Sequence, residues 1–218
     1  MARCALFLSI LLAALLPVAN AADEAAPPAT LLVARAELPD PNFSDSVILL
    51  TQRNRLGPAG VIINKPTRVR LAELFPDIKA LNAVDDKVFF GGPVAMNTLS
   101  FVFRSAKEPD EAMEIMKDIY VSSDMELLRE LLSRERPAED LRVFVGYAGW
   151  APAQLDNELA RGDWRKLDAD PRAIFARRPE ALWPLLDQKA STVRVRAVLR
   201  FTCPGSCAPP RGPGSSPR

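Results

Sequence analysis

The sequence predicts an α+β domain: a single, mixed, largely antiparallel sheet with hairpins, packed against a few helices. Three observations carry this expectation. Short β-branched and aromatic runs recur between Pro, Gly and Asp clusters. Helix signals fall among these runs without the strict alternation of a doubly wound parallel sheet. Two of the runs lie close enough for a hairpin. The 218-residue chain is 48% hydrophobic and 25% charged, which is ample for one hydrophobic core.

Residues 1–21 read as a secretory signal peptide. Arg3 supplies a positive start, Ala5 to Val18 is apolar except for Ser9 and Pro17, and Ala19-Asn20-Ala21 offers small residues for cleavage before Ala22. The apolar run falls short of the ~20 residues a membrane-spanning helix needs. The chain is therefore expected to be exported, periplasmic or secreted. Residues 22–30, small, polar and proline-bearing, read as a flexible lead-in.

The domain is expected over residues 31–190. Leu31 to Val33 opens it as a strand. Ser46 to Thr51 and Gly60 to Asn64 are β-branched runs suited to strands buried on both faces, joined through a polar loop over Gln52 to Pro58. Val69 to Phe75 suits a short helix stopped by Pro76. Val88 to Phe90 is a strand running into Gly91-Gly92-Pro93, and Leu99, Phe101 and Phe103 alternate with Ser100, Val102 and Arg104 like a half-buried strand. Ser123-Asp124-Met125-Glu126 fits a capping box, followed by Leu128, Leu131 and Leu132 on one helical face and by Pro137 as a stop. Leu141, Val143 and Val145 form a strand leading into Gly146-Tyr147-Ala148-Gly149-Trp150. Pro152 suits the first turn of the next helix, Leu155 and Leu159 stack on it, and Gly162 suits its end. Pro179 opens a last helix that Pro184 is expected to break or kink.

Residues 191–218 stand apart. Val193, Val195, Ala197, Leu199 and Phe201 share one parity, and Arg194, Arg196 and Arg200 the other, so a strand here would show one apolar and one basic face. Two readings fit: an edge strand guarded by arginines, or an anion-binding strip. The Pro-, Gly- and Ser-rich tail beyond reads as disordered. Cys203 and Cys207 either close a small disulfide loop in an oxidising compartment or stay reduced, and two thiolates alone make an incomplete metal shell.

Composition excludes much chemistry. With no histidine, the chain cannot build a Ser-His-Asp or Cys-His triad, a His-ligated metal site or an imidazole shuttle. Removing Arg3 leaves 27 basic and 27 acidic side chains, so the basic excess typical of nucleic-acid binding is missing. No Walker loop, dinucleotide fingerprint or HExxH motif occurs, and no cofactor or metal is expected.

Four blocks in order then point to a family. They are Leu38-Pro39-Asp40-Pro41-Asn42-Phe43-Ser44-Asp45-Ser46-Val47, Gly57-Pro58-Ala59-Gly60-Val61-Ile62-Ile63-Asn64-Lys65-Pro66, Phe90-Gly91-Gly92-Pro93-Val94, and Gly146 to Leu155 (GYAGWAPAQL). Together they resemble the YqgE/AlgH family of bacterial proteins over roughly residues 31–186. The resemblance implies an α+β fold with no established enzymatic activity, and one branch is linked by name to regulation of alginate synthesis. Against that family the chain reads as an exported variant with an atypical C-terminal tail, and it lacks the histidines that members typically carry after the second strand and after the Gly-Gly-Pro-Val strand.

Candidate site residues come from these blocks. Asp40-Pro41-x-Phe43 reads as a turn, with a catalytic Asp40 as the alternative. Lys65, following Asn64, either stands in solvent or contacts an anion beside the amides of Gly91 and Gly92. Tyr147, Trp150 and Gln154 either close a tight strand-to-helix corner or line a groove for a ligand or partner. Asp156 and Glu158, two apart on a helix, cannot form an acid/base pair. No residue is assigned a catalytic role. The expected function is non-catalytic binding of a protein partner or small ligand, with a transcriptional regulator or a carboxylate/Lys-dependent hydrolase as alternatives.

Overall fold

A computed structural model describes residues 29–54, 56–136 and 139–188. The expected signal peptide, most of the expected lead-in, the expected strand over 192–201 and the Cys203–Cys207 pair lie outside the described residues. The lead-in ends earlier than its expected limit at Thr30. Ala29 is buried and its carbonyl accepts the Ala169 amide, while Thr30 already pairs with Leu50 and Asp168.

The strands are β1 (Thr30–Ala34), β2 (Val47–Asn54), β3 (Gly57–Ile62), β4 (Pro66–Arg70), β5 (Lys87–Phe90), β6 (Val94–Arg104), β7 (Met113–Met116), β8 (Ile119–Ser122), β9 (Leu141–Gly149) and β10 (Trp164–Asp168). They form one sheet in the order β10-β1-β2-β3-β9-β6-β8-β7, with β5 joined to β9 and β4 to β5. Every pairing is antiparallel except β5 with β9. The long strand β9 is the spine: its first half pairs with β5 and β6, and its end meets β3 through Gly60↔Ala148 and Ala59↔Gly149. The α+β expectation is met.

Both faces are covered. Val47, Ile48, Leu49 and Leu50 of β2 are all buried, with Val47 and Leu49 in one cluster and Ile48 and Leu50 in another. The first cluster lies under α4 (Pro171–Ile174) and the helical run over 182–188, through Ile174 and Leu182. The second lies under α3 (Gln154–Arg161), through Leu155. Beyond β9, α1 (Leu71–Leu74), a short 3₁₀ turn (Lys79–Ala83) and α2 (Met125–Leu132) cover β6 and β9 through Leu81, Leu128, Leu131 and Leu132. Each such fully buried leucine contributes on the order of 2 kcal/mol.

Several expectations are corrected. The β2–β3 hairpin is tighter than a polar loop over 52–58, because β2 runs on to Asn54 past an irregularity between Leu50 and Gln52. Val69 belongs to β4, and the helix after it has four residues. Strand β6 is longer and is buried on both faces where it passes between β8 and β9: Phe101 and Phe103 face α2, while Val102 faces the opposite cluster. Pro152 precedes α3 instead of opening its first turn, and Ala153 takes the cap position at φ 63°. Pro184 does not break the last helix. It sits in the first turn of the run over 182–188, where an amide has no intrahelical partner to lose.

The cap of α2 is shifted by one residue. Asp124, not Ser123, accepts the Leu127 amide at 2.7 Å, and the Ser122 hydroxyl accepts the Asp124 amide at 3.0 Å. Asp124→Ala is therefore expected to cost about 1 kcal/mol, and Ser123→Ala much less, in urea unfolding monitored by circular dichroism. Equal losses would return the cap to Ser123.

Candidate functional site

The sequence-derived site residues separate into three places. The first is the loop before β2. Asp40 Oδ1 accepts the Asn42 amide at 2.9 Å and its carbonyl accepts the Phe43 and Ser44 amides, so Asp40 shapes a turn. The Ser44 and Ser46 hydroxyls donate to the carbonyls of Pro41 and Phe43. Buried Asn64 clamps this loop, accepting the Val47 amide at 2.7 Å and donating to the Asp45 carbonyl at 2.8 Å. The Lys65 ammonium donates to the Asn42 carbonyl at 2.9 Å. Burial holds the Lys65 pKa below the usual lysine range, against the opposing pull of Asp45 and Asp40.

The second place is Gly91-Gly92, where one of the two amides of the anion-nest reading is already engaged within the sheet. The Gly91 amide donates to the Val145 carbonyl at 2.9 Å, and its own carbonyl accepts the Ile62 amide. Gly92 lies against the Tyr147–Ala148 peptide, and a Cβ there would stand 2.3–2.4 Å from it. These glycines let β9 pass close to the end of β5, and the Lys65 side chain is tied elsewhere, to Asn42.

The third place is the end of β9. Here the two readings of Tyr147, Trp150 and Gln154 divide by residue. Trp150 is buried, and its indole Nε1 donates to Glu158 Oε2 at 2.8 Å; Trp164 Nε1 donates to the same oxygen at 2.8 Å. Gln154 Nε2 donates to Glu158 Oε1 at 2.9 Å, and Gln154 Oε1 accepts the Ala151 amide at 3.0 Å. Phe43 closes the group, with ring centroids 6.4 Å from Trp150 and 5.9 Å from Trp164. Gln154 and the Trp150 indole are thus architectural, and they hold α3 to the corner. Sequence alone shows Glu158 only as a carboxylate that cannot pair with Asp156. Its place one helical turn after Gln154 is the signal that marks it as the hub.

Tyr147 points the other way. The turn of the chain at Gly146, with φ 68°, puts Tyr147 and Gly149 on the opposite face from the buried side chains of Ala148 and Trp150, although Trp150 also borders the space that Tyr147 faces. There they line an open groove of about 700 Å³ between the β2–β3 hairpin, the start of β6 and the end of β9. Its rim exposes Leu56, Val94 and Tyr147, with Met96 half exposed beside Gly146. Thr51, Thr98 and Ser100 add hydroxyls, and no charged residue lines it among the described residues. Leu56, 85% exposed, was missed by the sequence reading; a lone leucine in a polar hairpin tip was its signal. The volume lies within the range of small-molecule sites.

A smaller cavity of about 190 Å³ mixes apolar walls with charged residues of both signs, Asp85, Asp86, Lys87, Arg142, Arg177 and Glu180. Arg142 lies between the Phe89 and Phe175 rings, at 5.6 and 5.9 Å from their centroids, and donates to the carbonyls of Leu141 and Ala176. Burial pushes Asp86 up, although Arg142 pulls it down; burial likewise lowers Arg142. This guanidinium fastens the chain after α4 onto the sheet. Asp40, Lys65 and Gln154, on which a hydrolase would depend, line neither cavity. Among the described residues no group of three or more potential ligand side chains is gathered for a metal, and no helix is long and apolar enough to cross a membrane.

Comparison with known proteins bears on this architecture. A family model described as AlgH-like matches residues 31–191. A UPF0301 protein of Chlorobaculum tepidum is 33% identical over 157 residues, covering 72% of this chain and 82% of its own. A UPF0301 protein of Dechloromonas aromatica is 35% identical over 162 residues, covering 72% and 87%. The solution structure of the AlgH protein from Pseudomonas aeruginosa superposes with a TM-score of 0.61 at 25% identity, covering 86% of this chain and 99% of that one.

Proposed function

From the premise that this chain belongs to the AlgH-like family, we propose that it is an exported, non-catalytic binding protein whose groove takes an uncharged, largely apolar small molecule. The groove carries this reading. In a chain where a quarter of the residues are charged, a concave surface of this size lined only by apolar, hydroxyl, amide and backbone groups selects against ions. Exposed Leu56, Val94 and Tyr147 gain by leaving water, while the Ser100 hydroxyl and the oxygens of Thr51 and Thr98, whose protons go to the Ala59 and Ala95 carbonyls, can accept hydrogen bonds that orient a guest. Export rests on the leader expected over residues 1–21, and N-terminal sequencing of the periplasmic protein should begin at Ala22.

The binding test is a fluorescence titration with N-phenyl-1-naphthylamine, an uncharged apolar probe. Leu56→Asp sets a carboxylate at the rim on a residue that supports no core, and it should weaken probe binding by about tenfold. Tyr147→Ser should weaken it less. Identical titrations for wild type and a folded Leu56→Asp protein would overturn the reading, and enhancement only when a second protein is added would move it to a protein partner.

A further inference from the structure

We propose that the chain's own segment 193–201 docks in this groove and competes with its guest. The inference rests on the groove being a binding site and adds its regulation. Four observations support it. First, the described chain leaves the fold on the groove's side of the sheet. Leu182 and Leu186 pack against the cluster that contains Val61 and Val121, and both of these also line the groove. Trp183 touches this cluster too but reaches the opposite one, where it donates to the Ala34 carbonyl.

Second, the distance is short. The Asp187 carbonyl accepts from Arg165 of β10, and β10 lies four strand positions from β9, or about 19 Å across the sheet. Arg165 stands level with Val33 and Val47, five residues along β2 from Gln52 at the groove, which adds about 16 Å along the strands and makes the span about 25 Å. Eleven extended residues, from 188 to 199, reach about 36 Å. Third, the chemistry of the segment matches that of the groove. Val193, Val195, Ala197, Leu199 and Phe201 share one side of an extended chain, while Arg194, Arg196 and Arg200 fall on the other, toward water. An uncharged groove accepts the first set and leaves the arginines solvated. Fourth, tethering supplies the segment at an effective concentration in about the millimolar range, so even weak docking competes with a dilute guest.

The test places the photo-crosslinking amino acid benzoylphenylalanine at position 199 of the full chain. Cross-links within one molecule to the groove residues around 56–61, 94–100 or 147–151 are expected. Cross-links to any other surface, or none, would overturn the docking, and cross-links to the groove of a second molecule would replace it with self-association. In parallel, the full-length Val195→Asp/Leu199→Asp variant should bind N-phenyl-1-naphthylamine about tenfold more tightly than wild type. Unchanged affinity in that variant, with Leu56→Asp still weakening the probe, removes the regulation and leaves the site. A groove that never binds the probe while the cross-links still map to it removes the small-molecule reading and keeps the docking.

Discussion

Gly92→Ala is expected to lower the melting temperature by about 10 °C, more than any other single change considered. Two physical effects combine. The backbone at Gly92 has φ 151°, a region that side chains rarely adopt. In addition, the new Cβ would stand 2.3 Å from the Tyr147 carbonyl carbon and 2.4 Å from the Ala148 nitrogen, which are backbone atoms that cannot rotate aside. Relief requires moving β9, and β9 carries the pairings to β3, β5 and β6. A loss of about 4 kcal/mol follows, and at this domain size each kcal/mol shifts the midpoint by about 2–4 °C. Gly162→Ala is the control. Its φ of 81° is strained too, but the nearest atom is an Arg35 side-chain nitrogen at 3.6 Å, so about 1 kcal/mol is expected. Calorimetry of both variants decides the matter, and comparable shifts would show that backbone strain alone, without the clash, governs Gly92.

Glu158→Leu should cost about 3 kcal/mol. The side chain is only part-buried, yet the two indole N–H groups it satisfies belong to Trp150 and Trp164, 6% and 5% exposed. Leucine leaves both donors without an acceptor, and an unsatisfied buried donor costs about 1–3 kcal/mol. Glu158→Gln should cost about half as much. Its one oxygen can still take both indoles, while its amide nitrogen then faces the Gln154 amide nitrogen. Urea unfolding read by tryptophan emission measures both, and a Glu158→Leu midpoint equal to wild type would refute the hub.

How much of this was legible depended on the scale of the interaction. The buried runs Val47 to Leu50 and Val61 to Ile63 were readable because four and three consecutive apolar residues need cover on both faces. Strands β7 and β10 were not. Met113–Met116 contains two charge-neutral methionines around a glutamate, and Trp164–Asp168 alternates too briefly to declare a period; both are strands because a neighbouring edge offers its hydrogen bonds. The same limit applied to the site. The small residues of Gly146 to Gly149 signalled a corner, but the parity change at Gly146 that sends Tyr147 to the groove and Trp150 to the core is a backbone property without a residue pattern of its own. Asp124 displaced Ser123 as the cap for a related reason: both side chains suit the position, and Ser122 settled it by taking the Asp124 amide.

The place of β1 has a consequence for the order of events in the cell. Among the described residues it is the first strand, yet it lies between β2 and the last described strand, β10, with Leu31 opposite both Leu49 and Leu167. The sheet therefore cannot close until nearly all of the domain has left the ribosome, and contacts this distant in sequence form slowly. A nascent chain delayed in this way stays threadable, which is the state that the export proposed above would require.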